Sequence, residues 1–245
     1  MTILASTAAT VSQHQLSPRM GPSTAEVEVT LRQHATPVRA RRRQRLALDQ
    51  ASNETVYIVR SGLLGIEAMT PGKHRQLLAL YYPGDIIRRA LVPDLQGLSL
   101  SAMTVTEVWR LPARNFDALL AASPDQAALA QRRLSEQLAR ATLHTSIIGA
   151  LNGDERFASF LVELGLRLGH HSTAGVTFEL PLTRTDMADY LALNPDTLSR
   201  ITSRFKARGL LRNARSGHTV LPAWEALCSA SPVVSTLQTL HSPHA

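Results

Sequence analysis

The side chains best suited to chemistry lie between residues 183 and 204, and their types fit contact with DNA bases. Asp196, Ser199 and Arg200 fall on one side of a predicted helix. Its other side carries an apolar stripe at the spacing of an inward-facing surface, formed by Leu198, Ile201 and Phe205. An arginine on such a helix can donate to O6 and N7 of guanine while a serine or aspartate contacts a neighbouring base. The pattern predicts base reading in a major groove by these three polar residues.

Two short helices and a tight turn are expected to position these side chains. Thr183 fits the N-cap of the first helix, and Asp186 three residues later completes a capping-box pattern. Asn194 fits the N-cap of the second helix, with Pro195 at the first helical position, where proline is best tolerated. Gly209 is expected to end that helix. The two helices therefore form a predicted helix-turn-helix.

The segment TRTDMADYLALNPDTLSR, residues 183–200, resembles the helix-turn-helix of the CRP/FNR family of bacterial transcription regulators. It looks closer to the FNR and FixK branch, whose recognition helix carries Glu-x-x-Ser-Arg. Ser199 and Arg200 match that pattern, whereas Asp196 stands where the branch has glutamate. The resemblance implies a TTGAT…ATCAA palindrome, with Arg200 on guanine and Ser199 beside a thymine. The alternative is a helical pair of purely structural role, because such patterns produce many false matches.

The resemblance also implies contacts with DNA phosphates and with RNA polymerase, with activation favoured over repression. The phosphate contacts would come from Thr183, Arg184, Asn194, Ser203 and Arg204. Charge agrees with a polyanionic partner, since the chain has 26 Lys and Arg against 19 Asp and Glu. Residues 184–215 contain seven basic and three acidic residues, so counterion release would favour binding of double-stranded DNA there.

The N-terminal half has the pattern of a small antiparallel roll. Short strand-like segments separated by Gly and Pro turns run from about residue 36 to 112. The segments NETVYIVRSGLLGI and YYPGDII resemble the family's cyclic-nucleotide-binding-like β-roll, so the resemblance covers about residues 30–225. The expected fold is α+β, with this N-terminal β-roll, a long dimerisation helix and a C-terminal winged helix-turn-helix.

The 245 residues suggest the following division. Residues 1–25 are expected to be a disordered tail, 26–122 the β-roll and 123–152 the dimerisation helix with a hinge. Residues 153–230 would form the DNA-binding domain, and 231–245 a flexible tail. The hinge is expected at 152–154, the next helix at 155–168, and the hairpin of the wing around 216–217.

The long helix is expected from about Pro124 to Ala150. One apolar stripe at a 3.5-residue spacing suits a two-stranded coiled coil: Ala127, Leu134, Leu138, Ala141, Thr145 and Ile148. A second set is expected to pack on the roll: Leu129, Leu143, Ile147 and Leu151. A homodimer is expected because one recognition helix reads only half of a palindrome. The alternative is a core helix within a single chain.

The positions that hold a cyclic nucleotide in cAMP-binding members are altered. The family's Gly-Glu and Arg-Ser pairs are replaced here by Arg88-Arg89 and Gln96-Gly97. The ribose would meet cations, and the phosphate would lose its arginine, so we expect no cyclic nucleotide. Arg88 and Arg89 are interpreted as solvated loop charges, with binding of a different anion as the alternative.

No cofactor is expected. The single cysteine, Cys228, excludes a disulfide and the cysteine-ligated iron–sulfur cluster of oxygen-sensing FNR proteins, and we expect an inert, semi-buried thiol. None of the histidines that could ligate haem, His34, His74 and His144, lies in a haem-attachment motif. Exposure is expected for the remaining candidates, His170, His171, His241 and His244. An effector-dependent regulator that senses haem, nitric oxide or another small ligand in the roll is the alternative.

The run Arg39-Ala40-Arg41-Arg42-Arg43-Gln44-Arg45 is the densest local charge cluster. By the resemblance it would lie on the outer edge of the roll, away from DNA, where charges protect a strand edge from pairing. Contact with DNA phosphates or with a polymerase subunit is the alternative.

An enzyme, a membrane protein and a secreted protein are all disfavoured by the sequence. It contains no P-loop, no G-x-S-x-G and no H-E-x-x-H motif. The apolar runs are shorter than a transmembrane helix needs, and the N-terminus lacks the pattern of a signal peptide. A cytoplasmic protein with no membrane partner is the expectation.

Overall fold

The computed structural model describes residues 33–50, 53–69, 75–92, 94–95, 97–213 and 218–241. The predicted N-terminal tail, residues 1–25, lies outside them. Among the described helices, none is long and apolar enough to cross a membrane.

The N-terminal half is an antiparallel β-roll, as expected. Its strands are β1 Thr36–Ala40, β2 Arg45–Leu46, β3 Asp49–Gln50, β4 Asn53–Ser61, β5 Leu64–Met69, β6 Arg75–Tyr81, β7 Ile86–Ile87, β8 Ser99–Ala102 and β9 Thr106–Pro112. One sheet has the order β1-β9-β4-β3 with β7 on β4, and the other has the order β2-β8-β5-β6. The faces that meet are apolar and bury Tyr57, Leu64, Ile66, Leu100 and Val108 among others.

The roll leads into helices α1 Ala113–Ala122 and α2 Pro124–Ala150. Ser123 caps α2, and its hydroxyl accepts a hydrogen bond from the backbone N–H of Gln126 at 3.4 Å. Pro124 follows in the first turn, where a missing N–H costs least. These local signals explain why the predicted bounds of this helix agree with the structure.

The C-terminal domain contains helices α3 Gly153–Leu168, α4 Arg184–Tyr190, α5 Pro195–Ala207, α6 Trp224–Ser229 and α7 Val234–His241. Its strands are β10 His170–Ser172, β11 Gly175–Glu179, β12 Arg212–Asn213 and β13 His218–Leu221, in the order β10-β11-β13-β12. The β12–β13 hairpin is the expected wing, and its predicted turn at 216–217 lies outside the described residues. The β10–β11 hairpin was not predicted, because its exposed first strand has no apolar alternation.

The C-terminal segment corrects one expectation. Residues 234–241 form α7, which packs on α3, whereas residues 231–245 were expected to be a flexible tail. Leu237 and His241 lie four residues apart and are both buried. Val233 and Val234 pack against the same core, but an apolar period carried by one eight-residue helix is too short for the sequence alone to predict this docking.

Helix α2 packs on the roll through polar side chains as well as through Ala130 and Leu134, which were not in the set predicted for this contact. The side-chain amide of Gln137 bonds both the backbone N–H and the carbonyl of Ile86, at 2.8 and 2.9 Å. Arg140 forms a buried ion pair with Asp85. Of the predicted set only Ile147 is fully buried. The apolar spacing in the sequence did not predict this face of the helix, because long polar side chains on it pair with buried polar groups of the roll.

Glu163 joins the roll to the C-terminal domain. Its fully buried carboxylate accepts hydrogen bonds from the Tyr82 hydroxyl at 2.7 Å and from the Tyr190 hydroxyl at 3.4 Å. Desolvation raises the pKa of the carboxyl and of both phenols. The ring of His144 on α2 stacks on Tyr190 with centroids 4.0 Å apart. One buried network therefore connects the end of β6 with α2, α3 and α4.

Two histidines belong to this region, and one of them, His241, was expected at the surface. His241 is 3% exposed, and its Nδ1 accepts a hydrogen bond from the Arg167 guanidinium at 3.2 Å. Burial lowers the pKa of His144 to about 4. Burial and the neighbouring arginines lower the pKa of His241 to about 3. His241 is buried and His144 is half-buried. Neither is visible in the sequence, because the residues that cover them are distant along the chain.

The depressed histidine pKa values predict acid sensitivity. Between pH 4 and 6.5 the unfolded chain protonates His144 while the folded protein keeps it neutral. The stabilising contribution is thus complete above about pH 6.5 and declines toward lower pH by about 1.4 kcal/mol per pH unit. His144→Phe should reduce this slope, measured by urea unfolding at several pH values. His34→Gln, at an exposed position, is the control, and an unchanged slope in His144→Phe would contradict the prediction.

Candidate nucleic-acid interface

The two helices of the predicted helix-turn-helix are α4 and α5. Thr183 caps α4, with a reciprocal pair of bonds: Asp186 N–H to the Thr183 hydroxyl at 3.2 Å, and Thr183 N–H to the Asp186 carboxylate at 3.0 Å. Asn194 caps α5 by accepting from the backbone N–H of Asp196 at 2.8 Å. Gly209, with φ +68°, follows the end of α5. Every cap predicted for this motif is confirmed.

Helix α5 presents the predicted base-reading residues on its outer face. Asp196 and Arg200 are exposed and Ser199 is half-buried, whereas Leu198, Ile201 and Phe205 are buried in the core. The Ser199 hydroxyl donates to the carbonyl of Pro195 at 2.8 Å and accepts from Arg184 at 3.4 Å. The structure therefore brings Arg184 of α4 beside the reading face of α5.

The residues predicted to contact phosphates have mixed surroundings. The side-chain oxygen atoms of Thr183 and Asn194 act in helix caps, while Arg184 and Ser203 are exposed. Arg204 forms an ion pair with Asp154 in the first turn of α3. Asp154 was not identified from the sequence as a partner of the reading helix.

Two arginines of the roll bind the first helix of the motif. The Arg75 guanidinium donates to Asp189 at 2.8 Å and to Glu67 at 3.0 Å, and forms an ion pair with Asp186. Arg43 donates to Asp186 at 2.8 Å and to the Thr183 hydroxyl at 3.3 Å. Burial raises the pKa of Asp186, but bonds from Thr183 and Arg75 outweigh it and lower that pKa. We call the helix-turn-helix formed by α4 and α5 the head. The two arginines and the three carboxylates then form the roll–head ion cluster: Arg43, Arg75, Glu67, Asp186 and Asp189.

The roll–head ion cluster corrects the expectation for the arginine run. The run was expected on an outer edge, whereas Arg42 and Arg43 contact the segment that starts the helix-turn-helix. The Arg42 guanidinium lies 3.5 Å from the carbonyl oxygen of Pro181. One signal was present in the sequence. Two carboxylates at Asp186 and Asp189, inside a motif that must meet a polyanion, require cations from elsewhere in the chain.

Arg88 also differs from its expected role. Its guanidinium binds both oxygens of Glu54, at 3.1 and 2.8 Å, and Asp117 at 3.0 Å. The hydrogen bond from Arg88 is the main reason that the pKa of Glu54 is lowered. Arg88 is therefore a structural ion-pair partner and not a solvated loop charge. Arg89 pairs with Asp94. The expectation that no cyclic nucleotide binds stays a prediction.

The remaining candidates for cofactor chemistry are few. Cys228 is buried, as expected, and burial raises the pKa of its thiol. Within the described ranges, no three His, Cys, Asp or Glu side chains are grouped so as to hold a metal ion. His34, His170 and His171 are exposed, while His74 and His244 lie outside the described residues.

A cavity of about 550 Å³ lies between strands β6 and β7 and helix α2. Four residues of the predicted dimer stripe line it: Ala127, Leu134, Leu138 and Ala141. Leu138 is 69% exposed, and Leu134 also packs against the cluster that contains Phe116. Thr145 is exposed and Ile148 is half-buried. The stripe thus presents apolar surface that one chain covers only in part, with Leu138 and Ala141 exposed.

Comparison with known proteins adds family information to this geometry. Residues 155–230 match the Crp-like helix-turn-helix domain, and residues 37–123 match the cyclic nucleotide-binding domain. The chain is 27% identical over 158 residues to the transcriptional activator protein FnrA of Stutzerimonas stutzeri, covering 64% of this chain and 65% of that protein. It is 26% identical over 158 residues to the transcriptional activator protein anr of Pseudomonas aeruginosa, with the same coverage. The matched region thus spans about 65% of these relatives.

Solved structures of similar fold agree. FixK2 from Bradyrhizobium japonicum superposes with a TM-score of 0.67 at 25% identity, over 80% of this chain and 97% of that one. A CooA mutant from Carboxydothermus hydrogenoformans shares the fold, with a TM-score of 0.66 at 21% identity over 83% and 90% of the chains.

The roll–head ion cluster yields a prediction. Arg75→Gln leaves the carboxylates of Asp186, Asp189 and Glu67 with one cation fewer in a partly buried site. Because Arg75 is 27% exposed and Arg43 remains, we expect a decrease of about 2 kcal/mol in the free energy of unfolding. Arg60→Gln is the control, since the Arg60–Glu107 pair is more than 40% exposed on both sides and should contribute less than about 1 kcal/mol. Equal effects in denaturant unfolding would contradict the assignment.

Proposed function

The chain belongs to the CRP/FNR family of transcription regulators, which are not enzymes, and on this premise we propose that it binds a palindromic DNA site as a homodimer and regulates transcription there. The observation that carries this proposal is the reading face of α5. Asp196 and Arg200 are exposed beside Ser199, on a helix whose other face is buried in the domain core. A helix fixed in this way presents its polar side chains to a major groove without losing their alignment.

The proposed site is a TTGAT-N4-ATCAA-like palindrome. Arg200 contacts guanine through O6 and N7, and Ser199 lies beside a thymine. Similarity to FixK2, FnrA and Anr supports this branch of the family. Asp196 reaches one methylene less far than glutamate, so its base pair is where the preferred sequence should differ.

Base reading by Arg200 predicts a reduction of affinity and of specificity together. Arg200→Ala should weaken binding by about 1–3 kcal/mol and relax the preference at its own base pair. The measurement is fluorescence anisotropy of effector-free protein on the palindrome and on a scrambled duplex, at one near-physiological salt concentration. Lys206→Ala, at an exposed position on the same helix, is the control and should weaken binding to both duplexes by the same factor. Equal affinity of the unmodified protein for both duplexes would count against the proposed site.

The homodimer is proposed to form along α2. The predicted stripe lies partly on the wall of the 550 Å³ cavity, with Leu138 projecting 69% exposed. A second copy of α2 would cover this apolar surface, and the hydrophobic effect favours its burial. The two-fold arrangement would place two α5 helices about one turn of DNA apart, as a palindrome requires.

Leu138→Glu tests the dimer without disturbing the single chain. The side chain is mostly exposed in one subunit, so the variant should fold. Two glutamates facing each other in a desolvated interface should shift the protein from dimer to monomer in sedimentation-velocity experiments. Ala128→Glu places the same charge at an exposed position of α2 outside the stripe and should leave the dimer intact. A dimeric Leu138→Glu protein would exclude this interface.

Regulation is proposed to proceed by activation through RNA polymerase, with the regulator in the cytoplasm. The names of FnrA and Anr as transcriptional activators support activation. DNA binding is proposed to need no bound cofactor. One observation supports this view: a single cysteine is too few to ligate an iron–sulfur cluster.

A further inference from the structure

The arginine run of the roll lies next to the DNA-reading helices, although it is about 140 residues away in sequence. Arg42 contacts the carbonyl of Pro181, and Arg43 contacts the Thr183 hydroxyl. Thr183 immediately precedes Arg184, whose guanidinium donates to Ser199 on α5. A short series of direct contacts thus connects the run with the reading face.

The charges at this junction are unevenly paired. Arg43 and Arg75 pair with three carboxylates, Glu67, Asp186 and Asp189, so the cluster by itself has one more acid than it has bases. Arg41, Arg42 and Arg45 are exposed and have no carboxylate partner in the part of the chain that the structure describes. These three arginines outnumber the one unbalanced acid of the cluster, so the junction keeps an excess of positive charge on its solvent side.

The chemistry of the exposed run fits a phosphate backbone better than a protein partner. Residues 41–45 consist of four arginines and one glutamine, all exposed and none apolar or aromatic. Protein interfaces usually need a buried apolar or aromatic centre, which this segment does not offer. Phosphates need only cations and hydrogen-bond donors, and arginine supplies both in a bidentate geometry.

We propose that Arg41, Arg42 and Arg45 contact phosphates of the DNA that flanks the palindrome, and so extend the DNA-binding surface from the helix-turn-helix onto the roll. This inference rests on the proposed function and deepens it. The contacts read no bases, so they increase affinity for long DNA independently of its sequence. The roll–head ion cluster holds the run in place, because Arg43, which lies in the middle of the run, forms an ion pair with Asp186 of α4.

The test compares two duplexes that share the palindrome. One ends at its outer base pairs, and the other continues for about one helical turn of arbitrary sequence on each side. Arg41→Gln and Arg45→Gln, singly and together, leave the Arg42 and Arg43 contacts with the head in place. Arg114→Gln is the matched control, because it removes one exposed arginine on α1, a helix that packs on β4, β9 and α2. Affinity is measured over a range of salt concentrations.

On the long duplex we expect each variant to show a shallower dependence of log Kd on log salt, by about 0.9 for each phosphate that the protein no longer neutralises. On the short duplex, the affinity and the preference over a scrambled sequence should stay those of the unmodified protein. Variants that behave as Arg114→Gln on both duplexes would overturn the proposal. Reduced transcription with unchanged DNA binding would also overturn it, and would indicate a protein partner. Failure of the proposed function is visible separately, as equal binding of the unmodified protein to palindrome and scrambled DNA.

Discussion

The carboxylate of Asp186 takes part in two structures at once. It completes the capping box at the start of α4, and it forms ion pairs with Arg43 and Arg75 of the roll. The geometry of the first helix of the motif is therefore coupled to the position of the roll.

A second contact fixes the other side of the junction. Glu163 of α3 accepts from Tyr82 of the roll and from Tyr190 of α4, and His144 of α2 stacks on Tyr190. No buried side-chain nitrogen or oxygen atom in the described residues lacks a hydrogen-bond partner. Buried networks that are fully satisfied favour one arrangement over its alternatives. The orientation of the reading helix relative to α2, and so to the twin helix in the proposed dimer, follows from these two polar contacts together with the apolar core that Leu77, Leu80 and Met103 of the roll share with the C-terminal domain.

The same junction explains how a protein that must approach a polyanion can keep acids near its reading head. Asp186 and Asp189 would repel phosphates if they faced solvent alone. Arg43 and Arg75 pair with them instead, and Arg41, Arg42 and Arg45 stay beside them as exposed charges with no carboxylate partner among the described residues. One arginine-rich stretch therefore has two roles. Arg43 reaches the carboxylate of Asp186, whereas Arg41, Arg42 and Arg45 do not reach a carboxylate in the described part of the chain and are the proposed DNA-binding cations.

The sequence by itself determined the local elements: the caps at Thr183 and Asn194, the apolar stripe of α5, and the bounds of α2. Each depends on residues within a few positions of one another, so their spacing is visible in one dimension. It also determined the base-reading candidates, which stay predictions, and the family resemblance, which the comparisons confirm. The pairing of Arg88 with Glu54, the stacking of His144 on Tyr190, the burial of His241 and the docking of α7 came from the tertiary fold alone. The tertiary fold also decided that the arginine run meets the helix-turn-helix. The physical reason is common to all of them: whether a charged or titratable group is solvated or paired depends on neighbours that the fold brings from distant parts of the chain.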